Sequence, residues 1–350
     1  MVSPLRWPAA CGARIFSIAL RTRAALYRRG VLAVHRLDAP VISIGNLTTG
    51  GTGKTPLAIH TARLLSARGY RTVLLSRGYG RRSRRAPLVV PPDPTCRVRA
   101  EEAGDEPALI RRKAPGVWLA ISADRRAAAD AVPRAGVPTV FLLDDGFQHL
   151  RLHRDLDIVL IHEADRILSN RLLPAGSMRE PLAGLERCDI LMLNGAGEDS
   201  QWDAVREAAR RINPRMAVFR CRQSIARIVR LEDWLADPCT APAVTDVPPA
   251  YLVAAIANPH RFRADAPACR IDVRGQRFFR DHYPISAADW SSCIEAARSS
   301  GARAIVTTEK DAVKLSRAPA FPVLVAVLEI AVAEAAAFEE ILGNVCRRAM

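Results

Sequence analysis

Lysine is nearly missing from this 350-residue chain: of 51 Lys and Arg residues, only Lys54, Lys113, Lys310 and Lys314 are lysine. The formal charge of +15 therefore reads largely as an arginine bias of the whole sequence and not as a nucleic-acid footprint. Aromatic residues make up 5%, and no stretch interleaves arginine with stacking rings, so no nucleic-acid partner is expected. The eight cysteines form no CxxC pair and stand near no histidine at zinc-ligand spacing, which excludes a disulfide scaffold and points to a reduced, cytosolic chain. There is no run of about 18 apolar residues that would span a bilayer. Arg14, Arg21 and Arg23 interrupt the first apolar stretch, so a cleaved export signal is not expected either.

What is present suits a folded chain of about two domains, with 49% hydrophobic and 25% charged residues. Beyond Pro40, short β-branched runs alternate with helical stretches: 41–44, 72–75, 117–121, 139–145, 157–161 and 189–193. This predicts an α/β fold, a P-loop NTPase-like, mainly parallel sheet with helices on both faces. Around residues 213–250 the texture changes, and further strands (217–221, 250–256, 302–308, 322–328) and a terminal helix from about 331 predict a second, smaller α/β domain. The expected division is a leader over 1–35, a P-loop domain over 36–220 and a closing domain over 221–350.

On a helix, Ile15, Phe16, Ala19, Leu20, Leu26, Tyr27 and Val31 of the leader share one arc and Arg14, Arg21, Arg28 and Arg29 the opposite one. Arg23 intrudes on the apolar side and must snorkel. Two readings stand: a helix lying on an anionic membrane surface, where each arginine adds about 1 kcal/mol, or a helix packed on its own domain.

The strongest local signal is a strand, a glycine-rich turn and a helix over 41–65. Gly50, Gly51 and Gly53, with Thr49 before them and Thr52 among them, let successive N–H groups point at phosphate oxygens; Lys54 reaches the phosphates and Thr55 supplies a hydroxyl for Mg²⁺. The spacing departs from GxxxxGK[ST], because Thr48 stands where the first glycine belongs. Asp144 and Asp145 end the apolar strand over 139–145, where a carboxylate holds Mg²⁺ in P-loop folds; Gln148 and His149 follow, either to orient substrate or to cap the turn. A guanine-reading N/TKxD element is lacking, since the nearest string, Thr308-Glu309-Lys310-Asp311, has one residue too many, so ATP is the expected nucleotide. Glu101, Glu102, Asp105 and Glu106 surround a glycine turn, as a general base or as an ordinary acidic helix start.

In this order, IGNLTTGGTGKTP, LLSRGYGRR, EEAGDEP, LDDGFQH, RDLDIVLI, LLPAGSMREPL, IANPHRF, RDHYPIS and TTEKDAVKL run from about residue 40 to 315. Together they resemble the tetraacyldisaccharide 4'-kinase (lipid A 4'-kinase) family of Gram-negative bacteria. The resemblance implies transfer of the ATP γ-phosphate to the 4'-hydroxyl of a tetraacylated disaccharide 1-phosphate, at the cytoplasmic face of the inner membrane; no obligate protein partner is evident in the sequence. It places the phosphate loop on Thr48 to Thr55, the metal-linked acids on Asp144 and Asp145, the hydroxyl-proton acceptor on Asp105 and its partner on His282. Arg77, Tyr79, Arg125, Gln148, His149, Arg179 and Glu180 fall on positions that line the family's site. Arg81, Arg82, Arg84 and Arg85 are read either as contacts for lipid phosphates or as a solvated charge run. Residues 254–258 lack the glycine common in that turn, so no substrate contact is assigned there.

Two other classes share some of these features. A membrane-associated regulatory P-loop ATPase would need no acceptor, and a nucleic-acid-dependent ATPase would bind any sequence with steep salt dependence.

Overall fold

The computed structural model describes residues 6–81, 86–93, 98–134, 136–197 and 199–348. Arg82, Arg84, Arg85 and Cys96 lie outside the described residues. Twelve strands form one sheet: β1 (Val41–Asn46), β2 (Arg71–Ser76), β3 (Leu88–Val90), β4 (Trp118–Ile121), β5 (Thr139–Asp144), β6 (Leu156–His162), β7 (Ile190–Asn194), β8 (Ala217–Arg230), β9 (Ala250–Ala254), β10 (Val273–Phe278), β11 (Ala304–Thr308) and β12 (Val323–Val332). Their spatial order is β10-β9-β11-β12-β8-β7-β6-β1-β5-β2-β4-β3. Pairing is parallel except for β3 on β4 and β12 on β8.

The continuous apolar runs form central strands because both faces are covered. Along β1 and β5, Ile42, Ile44, Val140 and Leu142 enter one core, while Val41, Phe141 and Leu143 enter another on the opposite face. That alternation follows from the period-two geometry of a strand. The carboxyl ends of β1 and β5 lie side by side, with Ile44 opposite Asp144, so the loops that follow them open together.

The sheet is continuous across the division expected at residues 220 and 221. What changes there is the partner of β8: Ala217–Cys221 pair with β7 in parallel, and Cys221–Arg230 pair with β12 in antiparallel. One long strand thus joins the two halves. Two edge strands, β3 and β10, are not visible as apolar runs. The first has three residues, and the second reads VRGQRF, with charge and glycine where a central strand has hydrophobes. The terminal helix begins at Ala335, because residues 331 and 332 still belong to β12.

The leader helix α1 (Arg6–Arg28) rests on the first half, with Phe16, Leu20, Leu26 and Tyr27 half-buried. Arg23 donates to the Gln148 carbonyl (3.1 Å) and Arg28 pairs with Glu186 (3.4 Å). Ile15 and Ile18 are 69% and 64% exposed. Among the described residues, no helix is long and apolar enough to cross a membrane.

Candidate active site

The turn after β1 leads into helix α2 (Lys54–Ala67). Gly53 has φ 101°, and a Cβ there would fall 2.5 Å from the Asn194 amide nitrogen, so both conformation and space demand glycine. Groups from three strands shape the turn. Asn46 of β1 donates to the Thr52 hydroxyl (3.2 Å), Asn194 of β7 donates to the Thr52 carbonyl (2.7 Å), and the backbone N–H of Gln223 in β8 donates to Asn194 (3.1 Å). The first-turn amides of α2 have no intrahelical acceptor and face the cavity with the positive end of the helix dipole. Thr49 donates its N–H to the Ser177 carbonyl (2.7 Å), and Thr48 is buried beneath the turn rather than lining the cavity.

The cavity has a volume of about 860 Å³. The phosphate loop, Asp144, Asp145, Arg125 and Arg179 line it, together with Glu106, Asp281, His282 and Lys310. Asp144 and Asp145 have opposite environments. Asp144 is 3% exposed, one carboxylate oxygen has no hydrogen-bond partner, and the Ser76 hydroxyl meets the other at 3.5 Å. Burial, reinforced by repulsion from Glu106 and Asp145, pushes its carboxyl up to about 7. Asp145, the other expected metal ligand, is paired with two cations. Arg179 binds both its oxygens (2.9 and 2.7 Å), and Lys54 approaches Oδ1 at 3.4 Å. Burial would raise Asp145, but Lys54 and Arg179 outweigh it and hold the carboxyl below the usual range.

Helices α3 (Ala100–Ala103) and α4 (Asp105–Lys113) meet at Gly104, whose φ of 96° turns the chain so that Asp105 and Glu106 open α4. His282, 177 residues away, places Nδ1 3.0 Å from Asp105 Oδ2. The same oxygen lies 3.3 Å from Lys314, and Asp281 stands 3.8 Å from the other ring nitrogen of His282. The hydrogen bond to Asp105 raises the His282 pKa against the opposing effect of burial. His282 lines the cavity, and Asp105 stands beside it with its side chain 15% exposed. Glu106 accepts from Lys310 (2.5 Å) and from the Thr55 hydroxyl (3.4 Å), and Lys310 pulls its carboxyl down to about 2.

The other expected residues divide. Arg77, Tyr79, Arg125, Gln148, His149 and Arg179 line the cavity. The Tyr79 ring lies 5.1 Å from that of His282. Burial, aided by Arg125 and Arg154, lowers His149 to about 4, so its ring is neutral. Glu180 does not line the cavity. It sits behind Gln148, which donates to it (2.9 Å) and to the Asn46 carbonyl (2.8 Å), and its carboxylate faces Arg187 (2.7 Å). Asn46, Asn194, Lys310 and Lys314 were given no role in the site from the sequence, and Glu106 was read only as one of an acidic cluster. The scarcity of lysine was the available signal, because all four lysines pair with a carboxylate at or beside this cleft.

The Tetraacyldisaccharide-1-P 4'-kinase family model matches residues 5–347. The chain belongs to this family. Curated relatives named tetraacyldisaccharide 4'-kinase include that of Geobacter metallireducens, 37% identical over 300 residues and covering 86% of both chains. The Anaeromyxobacter sp. (strain Fw109-5) kinase is 40% identical over 87% of this chain and 81% of its own length. That of Pelobacter propionicus is 36% identical over 95% and 91%. Among solved structures, LpxK from Aquifex aeolicus, described as an apo form in complex with ATP, matches with a TM-score of 0.74 and 27% identity, covering 97% of this chain and 99% of that one. The α/β architecture of this family member is therefore that of a P-loop kinase.

Proposed function

We infer that this chain is an ATP-dependent tetraacyldisaccharide 4'-kinase, moving the γ-phosphate of ATP to the 4'-hydroxyl of a tetraacylated disaccharide 1-phosphate in lipid A biosynthesis. Family membership supports the reaction class. The observation that carries the assignment of roles is the 3.0 Å contact between Asp105 and His282 beside the cavity that holds the phosphate loop.

In this reading the first half, residues 36–220, takes the nucleotide, and residues 221–350 close over it. Amides of the loop and of the first turn of α2 hold the phosphates, with Lys54 neutralising charge. The residues also suit Mg²⁺, which needs only one or two protein carboxylates besides water and phosphate oxygens. The buried Asp144 has an unpartnered oxygen, and Thr55 offers its hydroxyl. When bound, the metal neutralises charge on the β and γ oxygens. Asp145 keeps Lys54 and Arg179 aimed into the cavity.

Phosphoryl transfer has a loose transition state, so the acceptor needs orientation more than strong deprotonation. Asp105 supplies it. His282 and Lys314 share its Oδ2, which leaves Oδ1 to accept the hydroxyl proton. His282, between two carboxylates, fixes the direction of Asp105. The helix α1, with Ile15 and Ile18 outward, rests on the anionic cytoplasmic face of the inner membrane as a peripheral contact, next to a substrate whose acyl chains stay in lipid.

The test is incubation of the full chain with γ-labelled ATP and vesicles holding the tetraacyldisaccharide 1-phosphate. Label in the glycolipid is expected. Acceptor-independent release of inorganic phosphate would instead indicate an ATPase.

A further inference from the structure

Lys310 belongs to the short helix Glu309–Ala312, and the residues on either side of it are fixed in the core. Glu309, 3% exposed, accepts from Lys113 (3.0 Å), Trp234 (3.2 Å) and the Leu328 N–H (2.9 Å). Asp311, 2% exposed, accepts from Thr308 (2.8 Å) and the Ala255 N–H (3.0 Å). Two buried acids thus anchor the backbone that carries Lys310, and its side chain lines the same cavity as Lys54. Lys310 and Thr55 contact the same oxygen of Glu106, so Lys310 stands one carboxylate away from the start of α2. In a chain that uses arginine almost everywhere, a lysine here is informative. An ammonium is a compact point charge that moves between oxygens, whereas guanidinium favours a fixed fork.

We propose that Lys310 is a second phosphate-neutralising cation, presented from the C-terminal half, and that Glu106 holds it in place until the triphosphate tail arrives. It passes from the Glu106 carboxylate to a γ-phosphate oxygen and, together with Lys54, acts on charge that spreads over the transferred group. The proposal rests on the kinase reading and adds a catalytic residue to it.

The experiment uses the full-length chain and four variants: Lys310→Met, Lys310→Arg, Glu106→Gln and the Lys310→Met/Glu106→Gln pair. Label transfer to the lipid acceptor is measured beside calorimetric affinities for ADP and for a β,γ-methylene ATP analogue. Lys310→Met is expected to slow transfer about a hundredfold and to weaken the analogue several-fold while leaving ADP binding unchanged. Lys310→Arg should recover part of the rate. Adding Glu106→Gln to Lys310→Met should recover none of it. If the pair turned over as fast as Glu106→Gln alone, Lys310 would serve only to neutralise Glu106, and the proposal would be wrong. A parallel loss of ADP and analogue affinity would also overturn it. Should methionine unfold the short helix, Lys310→Gln, which keeps a hydrogen-bonding side chain, carries the same comparison. A wild-type chain that binds nucleotide but labels no glycolipid would end the kinase reading, and the ADP-against-analogue comparison would still judge Lys310.

Discussion

One wall of the cavity is a single stretch, Thr49 to Thr55, bent between a strand and a helix start that offers backbone amides; a second is assembled from pairs that span 177 residues or more, Glu106 with Lys310 in the lining and Asp105, beside it, with His282 and Lys314. The first wall is rigid because Asn46 and Asn194 tie it to the ends of central strands. The second is held by ion pairs between two halves of the sheet that are joined through β8. Phosphate recognition can be local because a helix start supplies the donors. Acceptor activation cannot be, because the hydroxyl arrives from outside and must meet a group facing the loop.

The contrast is broken most severely at Lys54. Lys54→Ala should cost at least about 3 kcal/mol of transition-state stabilisation, a hundredfold or more in kcat/KM, as loss of one preorganised donor does elsewhere. Near-normal turnover would mean that the loop wall is not where charge is neutralised.

Asp144 comes next, since its buried carboxyl trades stability for function. Its pKa is raised to about 7, so the folded chain keeps a proton that the unfolded chain releases near 4. Stability is lost as pH rises through that interval. Asp144→Asn should therefore gain in Tm relative to wild type from about pH 4 to 7, level off above, and lose phosphoryl transfer. A falling Tm difference over that range would show that Asp144 is charged and satisfied in the apo chain.

These two residues also mark how much of the site was legible in sequence. The turn could be read because its glycines, Lys54 and flanking strand and helix are contiguous. Asp144 and Asp145 could be placed at a strand end, but not told apart: Arg179, which occupies Asp145, is 34 residues on. The central strands were clear from apolar runs, whereas β3, β10 and the second half of β8 have partly exposed, mixed faces that no run reveals. Asp105 and His282 followed from resemblance to a family, since nothing local links them. The string Thr308–Asp311, which failed as a guanine motif, is the cap and start of the anchored helix that carries Lys310.

A smaller effect belongs to the ion-pair wall alone. His282 is raised by Asp105, so its contribution to stability is complete below the ordinary histidine value and disappears as pH rises through the raised one. Comparing the Tm of wild type and His282→Asn should give a gap that closes with rising pH from about 6.5 upward. A pH-independent gap would reduce the contact to packing.

Smallest for the chemistry is the leader. Deletion of residues 1–30 should move the protein from anionic vesicles to the supernatant at low salt while barely changing ATP affinity. Unchanged co-sedimentation would mean that α1 is a packed helix and that Ile15 and Ile18 are incidental.

The division of labour between the walls is tested most directly by Asp105→Asn, followed by rapid-mix transfer of label to the lipid acceptor at saturating ATP and by nucleotide titration of the same sample. The account predicts a kcat lowered about a hundredfold or more with ATP affinity unchanged. A variant with normal kcat whose only defect is weaker ATP binding would put Asp105 on the nucleotide side and contradict it.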